Sequence, residues 1–222
     1  YVFLTFSFTL SLFFCLEFRP PPETHLFSSS ATADVYKRTQ PGPFLQPLAN
    51  GEGEDLSPFY TLSSPNMVDT FEITVEIDPA ESGPFSEHLA DLTAGDTIDM
   101  SGPFGANYYE DEDRVVVLAG GPGVGPAVGI GERANEDGNA VHVVYRATTP
   151  VHESRLSALD AAGATVTITT DDDFPAAVDE AITANDGEQA FVYGFDGFVT
   201  TATDAVAAAG GDPDAAKVEN FG

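Results

Sequence analysis

Basic residues are scarce in this chain: eight Lys and Arg stand against 36 Asp and Glu in 222 residues, a formal net charge of −28. Contacts to phosphate backbones need clustered Lys and Arg, so the count argues against a nucleic-acid partner. Cysteine is scarcer still. Cys15 is the only one, which excludes a disulfide framework, a cysteine zinc site and a cysteine-ligated iron–sulfur cluster within the chain. His88, His142 and His152 are scattered singly, without the His, Asp or Glu spacing of a metal site. Ser154 has no activating motif beside it, which argues against a hydrolase. The apolar run at residues 1–16 is rich in Phe and Leu and shorter than the roughly 20 residues that span a bilayer. It lacks the basic start and small-residue cleavage pattern of a signal peptide. No membrane partner and a cytoplasmic location are expected.

Two compositions are joined in the chain. Residues 1–48 hold three acids and three bases, so the remaining 33 acids and five bases carry the whole net charge. The chain does not begin with Met, and residues 28–38 resemble translated library-adaptor sequence. Residues 1–39 are therefore expected to be foreign to the natural protein, with a membrane anchor as the alternative. In the acidic part the carboxylates are dispersed among apolar residues and turn signals, unlike a disordered tail. With Lys217 its only lysine, this surface looks like that of a protein from a salt-loaded cytoplasm, where screening makes self-repulsion tolerable. An acidic partner-binding face would instead concentrate on one element.

The rhythm of the chain divides it again near the acids at 110–113. Before them, residues 71–77 alternate strictly and read as a half-buried strand. Residues 86–92 form a short amphipathic helix with Ser86 as N-cap, and 96–101 form another short strand. Short strands between turn residues suggest a small antiparallel barrel over residues 40–112. After Asp113, strands at 115–119, 141–145, 164–169 and 190–193 alternate with helical stretches ending near Asn135, at 153–162, at 174–184 and at 198–209. That alternation predicts an α/β domain over 113–222, a parallel sheet with helices on both faces.

Residues 115–126 carry the strongest local signal. A continuous apolar strand runs into Gly120, Gly121, Pro122, Gly123, Val124, Gly125 and Pro126, and a helix follows. Such a turn can place a pyrophosphate on free helix N–H groups while glycine lets the backbone come close. It is neither the common dinucleotide fingerprint, since Pro126 stands at the last glycine position, nor a P-loop, since no Lys-Ser/Thr follows. On its own it is also an ordinary Gly-rich strand–helix turn. Arg146 or Arg155, after the second strand, could accept a 2′-phosphate, or could be a surface arginine in a local ion pair.

The run from Gly120 to Pro126 resembles the GGxGxxP nicotinamide-binding turn of the ferredoxin–NADP reductase superfamily. Tyr60, Thr61, Leu62 and Ser63 resemble its Arg-x-Tyr-Ser/Thr flavin motif. Gly83 and Ser86 resemble its Gly-x-x-Ser element, Gly102 and Gly105 its barrel-closing turn, and residues 41–44 its Pro-Gly-x-Phe. Five motifs stand in family order over residues 41–222, in an acidic, haloarchaeal-like member. The resemblance implies FAD and NAD(P)H as cofactors. Tyr60 would pack on the flavin, the Thr61 hydroxyl would lie near its N5, and Phe221 would stand beside it as a second catalytic position. Gly83 and Ser86 would hold the FAD pyrophosphate; Gly120, Gly121, Gly123, Val124, Pro126 and Gly194 would hold the nicotinamide cofactor with Arg146. Pro58 stands in place of the family arginine, and Tyr193 in place of the cysteine of its Cys-Gly. The implied activity passes hydride from NAD(P)H to FAD and electrons on to an acceptor, such as a ferredoxin. The alternative is a non-catalytic, electron-transfer or regulatory subunit of a larger complex.

Overall fold

A computed structural model describes residues 2–9, 41–47, 59–66, 70–77, 89–93, 96, 98 and 100–222. Its first half is antiparallel. Strand β1 (Val2–Thr9), within the segment expected to be foreign, pairs with β4 (Thr70–Ile77) along its whole length, from Val2 opposite Ile77 to Thr9 opposite Thr70. Strand β2 (Phe44–Pro47) lies between β3 (Tyr60–Thr61) and β5 (Met100–Phe104). A single bridge from Leu62 to Ile73 joins the two sheets. Among the described residues the antiparallel strands of the expected barrel form two small sheets, β1-β4 and β3-β2-β5, linked by that bridge. The strand expected at 96–101 falls later, where Phe104 can pair with Phe44 and Met100 with Pro47. Pro103 is tolerated there because β5 is an edge strand.

Alternation in β4 builds the core of this half. Phe71, Ile73, Val75 and Ile77 are buried with Leu45, Tyr60, Leu62 and Leu89. Glu72, Thr74 and Glu76 point to the other face, as period-two geometry requires.

From Arg114 the chain is a parallel α/β sheet: β6 (Arg114–Gly120), α1 (Val124–Glu136), β7 (Ala140–Arg146), α2 (Glu153–Ala161), β8 (Thr165–Thr169), α3 (Phe174–Ala181), β9 (Glu188–Gly194), α4 (Asp196–Ala208) and β10 (Lys217–Asn220). Both faces of β6 are buried, which is why it reads as a continuous Val-rich run. Val115, Val117 and Ala119 join one core cluster with α1 and α2, while Val116 and Leu118 join the other with α3 and α4. The helix expected to reach 184 ends at Ala181, where Ile182 turns extended and buries its side chain. Strand order is β10-β9-β6-β7-β8. After β6 the chain moves to β7 and β8 on one side, then returns to β9 on the other. That reversal makes a crevice at the C-terminal ends of β6 and β9, where ligands bind in open α/β sheets.

Candidate functional site

At this crevice β6 ends in Gly120, and one 3₁₀ turn, Gly121–Gly123, leads into α1. Gly121 has φ +56, a conformation that favours glycine. A Cβ on Gly120 would stand 2.5 Å from the Phe198 ring, and one on Gly194 2.6 Å from the same ring. Glycines at the ends of two adjacent strands thus let Phe198 of α4 pack against both. Gly123 differs: its φ is an ordinary −59, but a Cβ would fall on the carbonyl oxygen of Tyr193. No side chain caps α1, whose positive end therefore suits an anion.

A cavity of about 400 Å³ adjoins the turn, lined by Gly121, Tyr145, Arg146, Ala147, Thr148, Thr149, Thr170 and Asp171 from the ends of β6, β7 and β8, and by Glu76 from β4. Its size suits a small-molecule ligand. Gly121 and Arg146 are thus brought together. Arg146 pairs with Asp171 at 3.3 Å, and its guanidinium lies 4.7 Å from the Phe198 ring centre. Arg155 is committed elsewhere. It reaches Glu132 at 2.6 Å, Glu72 at 3.1 Å and the carbonyl oxygen of Ser63 at 2.8 Å.

The motif residues Tyr60, Thr61, Leu62 and Ser63 are all buried. Phe44 and Leu45 pair with Thr61 and Tyr60, so the Pro-Gly-x-Phe stretch is the strand neighbour of the flavin-motif stretch. Gly105 has φ +97, and a Cβ there would stand 2.8 Å from the Phe44 ring. Gly102 lies within β5. Gly83, Ser86, Pro58 and His88 lie outside the described residues.

Ser63 is where the two halves meet. Its hydroxyl is 2.8 Å from that of Thr74, and the Thr74 hydroxyl is 2.8 Å from Nε2 of His152. A Cβ on Gly125 would fall on the Ser63 hydroxyl, and one on Gly129 would stand 2.9 Å from the Ser63 carbonyl oxygen. Helix α1 therefore presents bare backbone to the Ser63–Thr74 pair. Burial and the neighbouring Arg155 charge hold the His152 imidazole down at about 4, so it is neutral near pH 7.

Two further expected positions are accounted for by packing. The Tyr193 ring is fully buried, and its hydroxyl donates to the Asn107 carbonyl at 2.8 Å. Burial raises its pKa well above the usual phenol value. Where the family has cysteine, this residue anchors the segment between the two halves. Phe221 donates its N–H to the Gly194 carbonyl at 3.0 Å and meets Phe195 edge-on at 6.1 Å. Phe195 in turn lies beside the Gly121 turn. Glu72, Thr74, Glu76 and His152 were not singled out as site residues from the sequence. For the three β4 residues the polar positions of the alternating strand were the only signal, one that does not tell water from a neighbouring domain; His152 lies just before α2 and carried none.

Residues 32–109 match the Oxidoreductase FAD-binding domain family, a match that begins inside the segment set apart by composition. The chain is 36% identical over 132 residues to a probable dihydroorotate dehydrogenase B (NAD(+)) electron transfer subunit of Methanopyrus kandleri, covering 55% of this chain and 43% of that protein. It thus spans less than half of that relative. Among solved structures, the ferredoxin reductase in carbazole 1,9a-dioxygenase superposes with a TM-score of 0.69 at 18% identity, over 84% of this chain and 59% of that one. Ferredoxin-NADP+ reductase from Plasmodium falciparum gives 0.67 at 13% identity, over 82% and 83%. The class is therefore a two-domain protein of the ferredoxin–NADP reductase fold. More particularly, the part that matches the oxidoreductase FAD-binding family, residues 32–109, stands ahead of a parallel α/β domain. Among the described residues, no helix is long and apolar enough to cross a membrane.

Proposed function

We propose that the chain is a flavin-dependent NAD(P)H oxidoreductase module, with NAD(P)H bound across the β6–α1 turn. The observation that carries this reading is the cavity beside Gly121. It combines a glycine in the left-handed region with one arginine, paired to Asp171, at the ends of parallel strands, and it borrows Glu76 from the half that matches an FAD-binding domain; the uncapped start of α1 follows two residues beyond Gly121. A Cβ on Gly121 would crowd the Glu76 carboxylate at 2.9 Å, so glycine there keeps the turn open beside the cavity. FAD is assigned to the motif residues Tyr60 and Thr61, with Gly83 and Ser86 on its pyrophosphate and Gly105 shaping the Phe44 wall.

FAD, when bound, supplies hydride acceptance and one-electron release; the protein supplies position and electrostatics. The N-terminus of α1 and the Gly121 turn would bind the nicotinamide dinucleotide, and Arg146 would meet its adenosine end. Thr61 would offer a hydroxyl toward the flavin ring, while Phe195 and Phe221 would shield the nicotinamide side from water. Hydride transfer needs no side-chain acid, and the reading assigns none: Arg146 and Asp171 of the cavity are paired with each other.

The test is anaerobic mixing of FAD-reconstituted full-length protein with NADH and, separately, NADPH, following loss of the oxidised flavin absorbance. Bleaching by either donor is expected. Flavin that binds and is reduced by dithionite but by neither nicotinamide would overturn the reading. A second reading is favoured by the 36% identity to a protein named as an electron transfer subunit: the module would deliver its electrons to a partner subunit. Flavin reduction would then proceed without turnover on free acceptors.

A further inference from the structure

The polar face of β4 meets the nucleotide-binding half at three successive positions. Glu72 takes the Arg155 guanidinium at 3.1 Å, Thr74 takes His152 at 2.8 Å, and Glu76 reaches the Gly121 turn. The opposite face of the same strand is locked into the core of the antiparallel half through Phe71, Ile73, Val75 and Ile77. A strand held on one face and bonded at Glu72 and Thr74 on the other cannot slide by a residue without exchanging those faces.

All three polar groups of Ser63 are tied into this arrangement. Its N–H donates to the Glu72 carbonyl at 2.7 Å, its carbonyl accepts from Arg155, and its hydroxyl bonds to Thr74. On the other side, His152 closes the segment that begins at Arg146 and forms the cavity wall through Thr149. It does so with φ +55, a left-handed backbone that a non-glycine residue adopts only where surrounding contacts impose it. One chain of contacts therefore runs from the cavity wall through His152 and Thr74 to Ser63, two residues after Thr61.

We propose that His152 and Arg155 are positioning residues: through the polar face of β4 they fix the distance and angle between the flavin-motif segment and the nicotinamide turn. The inference rests on the oxidoreductase reading for its catalytic consequence, but not for its structural one. Neither residue touches the reacting atoms. They determine whether hydride donor and acceptor meet in line, a placement for which an error of about 1 Å can cost ~100-fold in rate.

The experiment uses the full-length protein and the variants His152→Ala, His152→Gln, Thr74→Val and Arg155→Met. Two properties are read: the rate of glutamyl-endopeptidase cleavage after Glu110 and Glu112 in the segment 105–113, and the first-order rate of flavin reduction at saturating NADH. His152→Ala and Arg155→Met should raise cleavage and slow reduction, each by about tenfold or more, while NADH and FAD affinities change less than about twofold. His152→Gln, which can still bond Thr74, should restore both. Thr74→Val keeps the shape and removes both hydroxyl bonds, so it tests the chain of contacts should His152→Ala fail to fold. Parent-like cleavage and rate in His152→Ala and Thr74→Val would overturn the proposal, as would a His152→Gln protein as defective as His152→Ala. A parent that is never reduced by nicotinamide would count against the oxidoreductase reading, and the cleavage assay would still decide the contact role.

Discussion

The hydroxyl of Thr74 lies 2.8 Å from Nε2 of His152, across 78 residues of chain and between the two halves of the molecule. Thr74 is one of the polar positions of an alternating strand, the kind that ordinarily faces water. Here that face is an interface, and its neighbours Glu72 and Glu76 share the duty. The glycines of the 3₁₀ turn and of α1 matter at two levels. Gly121 and Gly123 shape the turn, while Gly125 and Gly129 bring the helix backbone against Ser63 and Ser64.

Gly123 gives the first prediction. Because a Cβ there would fall on the Tyr193 carbonyl, the substitution is felt in the fold before any ligand arrives. Gly123→Ala should lower stability by about 1–3 kcal/mol, the usual cost of forcing atoms into a packed region. Gly138, with φ +86 and open space around it, is the control: Gly138→Ala meets no clash, and its cost should be that of the backbone conformation, on the order of 1 kcal/mol. Urea unfolding of both variants without nucleotide is the measurement. Equal losses would mean that the turn relaxes away from β9.

Much of the fold was legible because its signals are local. The apolar run at Val115, Val116 and Val117 announced a strand buried on both faces, and the helices around it followed from spacing alone. Phe71, Ile73, Val75 and Ile77 announced β4 by alternation. What could not be read was partnership. Nothing in the residues around Thr74 says that its polar face meets a second domain, or that Arg155 serves Ser63 rather than a phosphate. Nor does periodicity fix register, which is why β5 lies later than its expected place: opposite Phe44, the pairing is set by another strand. Tyr193 shows the same limit. Its position in the family motif was visible, but its bond to Asn107 depends on how the connecting segment crosses the sheet.

The excess of acids leads to the second prediction. With 36 acids, eight bases and a net charge of −28, repulsion among carboxylates opposes folding at low ionic strength and is screened over about 3 Å in 1 M salt. Among the described residues the cations are already spent on local pairs, such as Lys217 with Glu110 and Glu112. The melting temperature should rise steadily from dilute buffer to molar KCl. A flat response would assign the acids to a binding partner instead of a salt-rich environment.

The last prediction concerns pH, and two half-buried groups with opposite shifts, Glu219 and His152, carry it. Burial holds Glu219 up at about 7, against a hydrogen bond from Asn107 that pulls it down. Its carboxyl is favoured in the protonated form by the folded state, so its contribution to stability is fully present below the ordinary value of 4.5 and is lost as pH rises through 7. His152 runs the other way. With its folded value depressed to about 4 from 6.5, its contribution is present above pH 6.5 and is lost as pH falls through 4. Between 4.5 and 6.5 the two slopes oppose each other, so the parent should show a shallow pH dependence there. Glu219→Gln removes the first slope and should leave stability rising with pH over that window. His152→Gln removes the second and should tilt the curve downward relative to the parent between pH 4.5 and 6.5, while the rising slope from His142, which burial and then Arg114 also depress, remains. Unfolding free energies of the three proteins at half-unit pH intervals give the slopes directly. Parallel curves for all three would mean that neither side chain changes its proton affinity on folding, and that the burial around Glu219 and His152 is not felt by their charges.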